Sequence, residues 1–174
     1  MKHLLLLRHA KAMTGEPGMS DRDRPLAPRG HRDAALMGKA IAAEPPDLIL
    51  CSPAKRTRET LAEILPALPG KPRVVYADAL YGAPGDYAEI IADNADDAER
   101  LLVVGHNPTI QVTALLFAGS GGGKLRGALA AKFPTAALAV IGFQAEDWSE
   151  IRPGAGKLTQ FVRPRDVGAK DAED

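Results

Sequence analysis

The stretch Leu4-Leu5-Leu6-Leu7-Arg8-His9-Ala10 decides the fold. Four consecutive apolar residues bounded by polar ones read as a short strand covered on both faces, the kind found in parallel sheets. The run ends on a guanidinium and an imidazole, and in open α/β sheets ligands sit beyond the carboxyl ends of the strands. A second run, Leu101-Leu102-Val103-Val104, closes in the same way on Gly105-His106-Asn107. Two such strands in one sheet bring two histidines to one crevice.

Outward from these runs the pattern alternates. Strands at 3–8, 47–51, 73–76 and 101–104 are interleaved with helices near 29–43, 53–65, 86–94 and 108–117. Repeated βα units predict an α/β fold, a three-layer αβα sandwich on a mainly parallel sheet. Ser52-Pro53 and Asn107-Pro108 each place a capping side chain ahead of a proline at the expected first helical position. The glycine-rich stretch from Gly119 to Gly127 reads as a flexible loop. Beyond it, 136–143 and 158–162 read as strands with no helix between them, forming the antiparallel edge of the sheet. Residues 1–162 are expected to make one domain, and 163–174, charged and with little to bury, a mobile tail or surface arm.

Composition narrows the function. With 174 residues, 45% of them hydrophobic, the chain can bury a real core, and 22 basic against 22 acidic residues leave no net field to recruit nucleic acid or an anionic membrane. The single cysteine, Cys51, excludes an internal disulfide and favours a reducing compartment. The apolar run at the start is interrupted by Arg8 and is too short for a signal peptide, and no stretch is long enough to span a bilayer. A soluble cytoplasmic protein is the expectation.

The strand ends carry the chemistry. The first supplies Arg8 and His9, the second Ser52 with Arg56 one helical turn later, and the last His106 at the mouth of a helix. Two arginines around two histidines suit a dianion, since a guanidinium forks onto phosphate oxygens and helix amino termini add positive partial charge. A neutral imidazole there can accept a phosphoryl group, while the second imidazole and the arginines hold the equatorial oxygens. This scheme needs no metal and no cofactor, and the four histidines lack metal-ligand spacing. His3 and His31 read as non-catalytic, Cys51 as an inert buried thiol, and Ser52 as a helix cap. Gly119 to Leu125 falls short of a phosphate-binding P-loop, with its glycines one residue too close and Leu125 in place of the hydroxyl residue.

Arg8-His9-Ala10, the segment from Ser52 to Thr60 and Val104-Gly105-His106-Asn107 together resemble the histidine phosphatase superfamily, also called phosphoglycerate mutase-like. Asp21 to Gly30, reading Asp-Arg-Asp-Arg-Pro-Leu-Ala-Pro-Arg-Gly, is most similar to the SixA-type phosphohistidine phosphatases. The resemblance implies that His9 is the phosphoryl acceptor, that Arg8 and Arg56 bind phosphate, that His106 is the second pocket histidine, and that Arg24 reaches the substrate. Two departures stand out. Ala10 replaces the family's usual glycine, and the stretch Ala77 to Gly82 lacks the glutamate that larger relatives use as general acid. Asp78, Asp86 or no residue at all fills that role.

The function expected is a metal-independent phosphatase working through phosphohistidine, acting on phosphohistidine borne by a protein. A phosphatase of small phosphomonoesters is the alternative enzyme, and a non-catalytic phosphoprotein-binding module the alternative of another class. Neither nucleic acid nor membrane is an expected partner.

Overall fold

A computed structural model describes residues 1–169. Strand β1 (Lys2–Arg8) lies near the middle of a seven-stranded sheet with β2 (Leu48–Cys51), β3 (Arg73–Tyr76), β4 (Arg100–Gly105), β5 (Ala118–Gly121), β6 (Leu138–Phe143) and β7 (Gly156–Val162), in the order β3-β2-β4-β1-β6-β7-β5. β3, β2, β4 and β1 run parallel, β6 is antiparallel to both β1 and β7, and β5 pairs parallel with β7. The helices are α1 (Pro28–Ala42), α2 (Lys55–Ile64), α3 (Ala88–Asn94), α4 (Thr109–Phe117) and α5 (Gly123–Ala131).

The leucine run shows why three layers form. Side chains alternate across a strand, so Leu4 and Leu6 enter one core with Ile91 of α3, Ile110 and Phe117 of α4 and Leu129 of α5. Leu5 and Leu7 enter the other, with Met37 and Ile41 of α1 and Leu61 and Ile64 of α2. All four leucines are within 1% of full burial, and each contributes roughly 1.5–3 kcal/mol by leaving water. Leu101 to Val104 divides in the same way. The expected three-layer αβα sandwich on a mainly parallel sheet with an antiparallel edge is therefore the observed one.

Three local expectations are corrected. The glycine-rich stretch is ordered: it forms β5, the outermost strand, and the start of α5. Gly119 and Gly121 serve close packing, since a Cβ at Gly119 would overlap the Gly154 carbonyl and Gly121 sits at φ +128° against the Leu158 backbone, while Gly122, Gly123 and Gly127 face open space. Neither proposed cap closes a helix as expected. Pro108 itself precedes α4, while Asn107 Nδ2 turns away to the Phe133 carbonyl at 3.1 Å. α2 begins at Lys55 without a side-chain cap. Part of the expected tail is also folded: Pro164–Val167 makes a 3-10 turn, with Pro164 buried and Val167 packed on the α1 side of the sheet. Positions 170–174 of that tail lie outside the described residues.

Candidate active site

The central strands β2, β4 and β1 are neighbours, so their carboxyl ends converge. His9 follows β1 directly, and its amide extends the ladder by donating to the Gly105 carbonyl at 3.1 Å. The imidazole is 9% exposed, and its Nδ1 lies 2.7 Å from the Ala10 carbonyl. A carbonyl only accepts, so Nδ1 carries the proton and the lone pair of the neutral ring is on Nε2. Burial, reinforced by His106, Arg8 and Arg56, pushes the His9 pKa down to about 3. At neutral pH the ring is uncharged and nucleophilic.

His106 follows β4, with its ring centroid 5.4 Å from that of His9. Burial, then the Arg56 charge, lowers its pKa to about 4. Its Nε2 is 2.8 Å from Ser52 Oγ at the end of β2. Ser52 Oγ takes the Ala54 amide at 3.4 Å, which directs the hydroxyl proton to His106 and leaves the His106 proton on Nδ1. The His106 backbone amide donates to Tyr87 Oη at 3.0 Å. Gly105 is required here, because a Cβ would meet the Tyr87 ring at 2.8 Å.

Helix α2 presents Arg56 and fastens the surrounding segments. Thr57 Oγ1 donates to the Ser52 carbonyl at 2.7 Å, Thr60 Oγ1 accepts the Ala10 amide at 3.0 Å, and Glu59 Oε1 accepts the Leu26 amide at 2.8 Å. Arg56 is only 7% exposed. Its Nη1 donates to the Asp21 carbonyl at 2.8 Å and its Nη2 to Asp21 Oδ2 at 3.0 Å. Arg56 Nε and His106 Nδ1 are both buried without a hydrogen-bond partner. Two such N–H donors are the complement of an oxyanion. Arg8 reaches the same region, where its Nη1 donates to the Phe133 carbonyl at 3.0 Å, the acceptor also used by Asn107.

A cavity of about 430 Å³ opens over this cluster, with Asp21, Arg56, Tyr81, Tyr87 and His106 in its wall. Arg8 and His9 are not among the residues lining this cavity, though the His9 ring adjoins that of His106, which is. Arg24 approaches only through Asp21: its Nη1 donates to Asp21 Oδ1 at 3.0 Å and its Nε to the Met13 carbonyl at 2.9 Å. Neither proposed acid lines the cavity. Asp78 is 90% exposed in its side chain and pairs loosely with Arg22 at 3.7 Å, whereas Asp86 Oδ1 accepts the Ala88 amide at 2.8 Å at the start of α3.

Sequence reasoning missed three residues of this cluster. Asp21 was legible as part of the Asp21 to Gly30 segment, but alternating Asp and Arg reads as a loop ion network. Tyr81, whose Oη donates to Asp21 Oδ2 at 2.8 Å, sits in the stretch inspected for a glutamate. Ser52 was read as a cap because its histidine partner is 54 residues away in sequence. Among the described residues no group of three or more His, Cys, Asp or Glu could hold a metal ion, and no helix is long and apolar enough to cross a membrane.

Known proteins match in sequence and shape. The model of the histidine phosphatase superfamily (branch 1) matches residues 4–80. An uncharacterized protein of Mycobacterium tuberculosis is 42% identical over 164 residues, spanning 91% of this chain and all of its own length. A proposed phosphohistidine phosphatase SixA from Nakamurella multipartitia superposes with a TM-score of 0.78 at 33% identity, covering 94% of this chain and 96% of its own. A proposed SixA from Agrobacterium tumefaciens gives 0.74, also at 33% identity, over 92% and 96% of the two chains. With the family model matched and a shared fold at 33% identity over more than nine-tenths of the chain, this chain belongs to the histidine phosphatase superfamily, in its SixA-type branch, and is a hydrolase of the histidine-phosphatase class.

Proposed function

We propose that the protein hydrolyses phosphohistidine carried on another protein, with His9 Nε2 accepting the phosphoryl group. Arg8, Arg56 and His106 hold the phosphoryl oxygens, and water then releases phosphate from His9. The observation that carries the substrate class is the state of the cavity's carboxylate. Among the described residues lining the cavity, Asp21 is the one carboxylic acid, and hydrogen bonds from Tyr81, Arg24 and Arg56 hold its pKa well below the usual carboxylate range. Asp21 is ionised at neutral pH and has no proton to give. General acid catalysis is worth about 10²–10⁴ in rate, so alkoxide leaving groups are disfavoured here. A phosphoimidazole avoids the need: once its distal ring nitrogen is protonated, it departs as neutral imidazole. The SixA proposals made for two relatives at 33% identity point the same way.

Comparing kcat/KM on one preparation tests this reading. A phosphohistidine peptide should exceed p-nitrophenyl phosphate, and that should exceed a sugar phosphate. A sugar phosphate as best substrate favours the small-molecule alternative, and no turnover of any of the three favours a binding module.

A further inference from the structure

Asp21 is not spent by the mechanism above. Its carboxylate is oriented by donors from three separate segments: Arg24 on Oδ1, and Arg56 with Tyr81 on Oδ2. It rides on a 3-10 turn, Asp21–Asp23, and its side chain is 54% exposed, so it borders both the buried arginine and the open cavity. A carboxylate beside the guanidinium that receives a phosphate dianion opposes that dianion, and such a placement needs a reason.

Transfer in line with His9 fixes the direction of the leaving group. The His9 ring lies 5.4 Å from that of His106, which lines the cavity together with Arg56, Asp21 and Tyr81, so a phosphoryl group in line with His9 and held by His106 and Arg56 has its leaving group on the cavity side, where Asp21 and Tyr81 are. Oδ1 carries a single donor, Arg24 Nη1, and retains a lone pair for another.

We propose that Asp21 sets specificity by accepting a hydrogen bond from the distal ring N–H of a substrate phosphoimidazole, favouring P–N over P–O substrates. This rests on the phosphohistidine reading and extends it. The step balances: the P–N bond to the substrate breaks as the bond from phosphorus to His9 Nε2 forms. The bonding pair stays on the departing nitrogen, and the ring leaves as neutral imidazole still carrying its distal proton. Asp21 keeps that proton on the ring while transfer occurs. A phosphomonoester brings no compensating cation and meets the carboxylate as a like charge.

Asp21→Asn keeps the shape and removes the charge. Relative to wild type, kcat/KM for a phosphohistidine peptide should fall roughly 10–100-fold, the worth of a hydrogen bond to a charged group. Turnover of p-nitrophenyl phosphate should fall at least about tenfold less than that of the peptide, and vanadate should inhibit no less tightly, because neither brings a ring N–H that loses its acceptor. Equal losses on both substrates, weaker vanadate inhibition, or an unchanged substrate ratio overturns the proposal and reduces Asp21 to a support for Arg56. Wild-type preference for a sugar phosphate instead overturns the phosphohistidine reading itself, whatever the variant does.

Discussion

Acidification should unfold this protein through its active-site histidines. In the folded chain the His9 and His106 pKa values stand at about 3 and about 4, against 6.5 for an unperturbed imidazole. Between the folded and unfolded values the unfolded chain binds more protons, so stability is present above pH 6.5 and is lost as pH falls toward the folded pKa. Each histidine removes about 1.4 kcal/mol per pH unit in that window. From pH 7 to 5 the two together cost about 4 kcal/mol, a large share of the 5–15 kcal/mol that holds a typical domain together. Asp21 acts with the opposite shift: its depressed pKa adds stability that is lost only as pH falls below the ordinary 3.8, outside this window. Urea unfolding at several pH values measures the slope, and His9→Gln should remove about half of it. The same slope in wild type and His9→Gln would show that His9 is not a buried neutral imidazole, and the account of the nucleophile fails with it.

Two substitutions probe features found in the structure. Ser52→Ala should lower kcat/KM about tenfold while leaving the fold intact, because His106 loses the hydroxyl that sets its tautomer; full activity in this variant refutes the link. Gly119→Ala should destabilise the protein by about 1–3 kcal/mol in denaturant unfolding, since its Cβ falls on the Gly154 carbonyl; a neutral change would mean that this stretch is as yielding as its composition suggests.

The parts legible in sequence were those set by short-range pattern. Leu4 to Leu7 and Leu101 to Val104 announced two-sided burial, and because strands end where their apolar run ends, Arg8, His9 and His106 were placed with them. Arg56 followed from one turn of helix. What escaped depends on contacts between distant segments. The Asp21 carboxylate meets Arg56 and Tyr81 from 35 and 60 residues away, and nothing in its neighbourhood encodes that meeting. The order in Gly119 to Gly127 escaped for another reason: glycine serves tight packing and freedom equally well, and only the Gly154 carbonyl lying against Gly119 distinguishes them. Asn107 was misread as a cap because the competing acceptor, the Phe133 carbonyl, is 26 residues further along the chain.

The central claim is that His9 carries the phosphoryl group between substrate and water. Rapid quenching of the enzyme during turnover, in alkali so that a phosphoramidate survives, followed by mapping of the modified peptide, tests it directly. The account predicts a base-stable, acid-labile phosphoryl group on His9, absent from a folded and inactive His9→Ala variant. A base-labile, acid-stable ester on Ser52, or wild-type activity in His9→Ala, would contradict it.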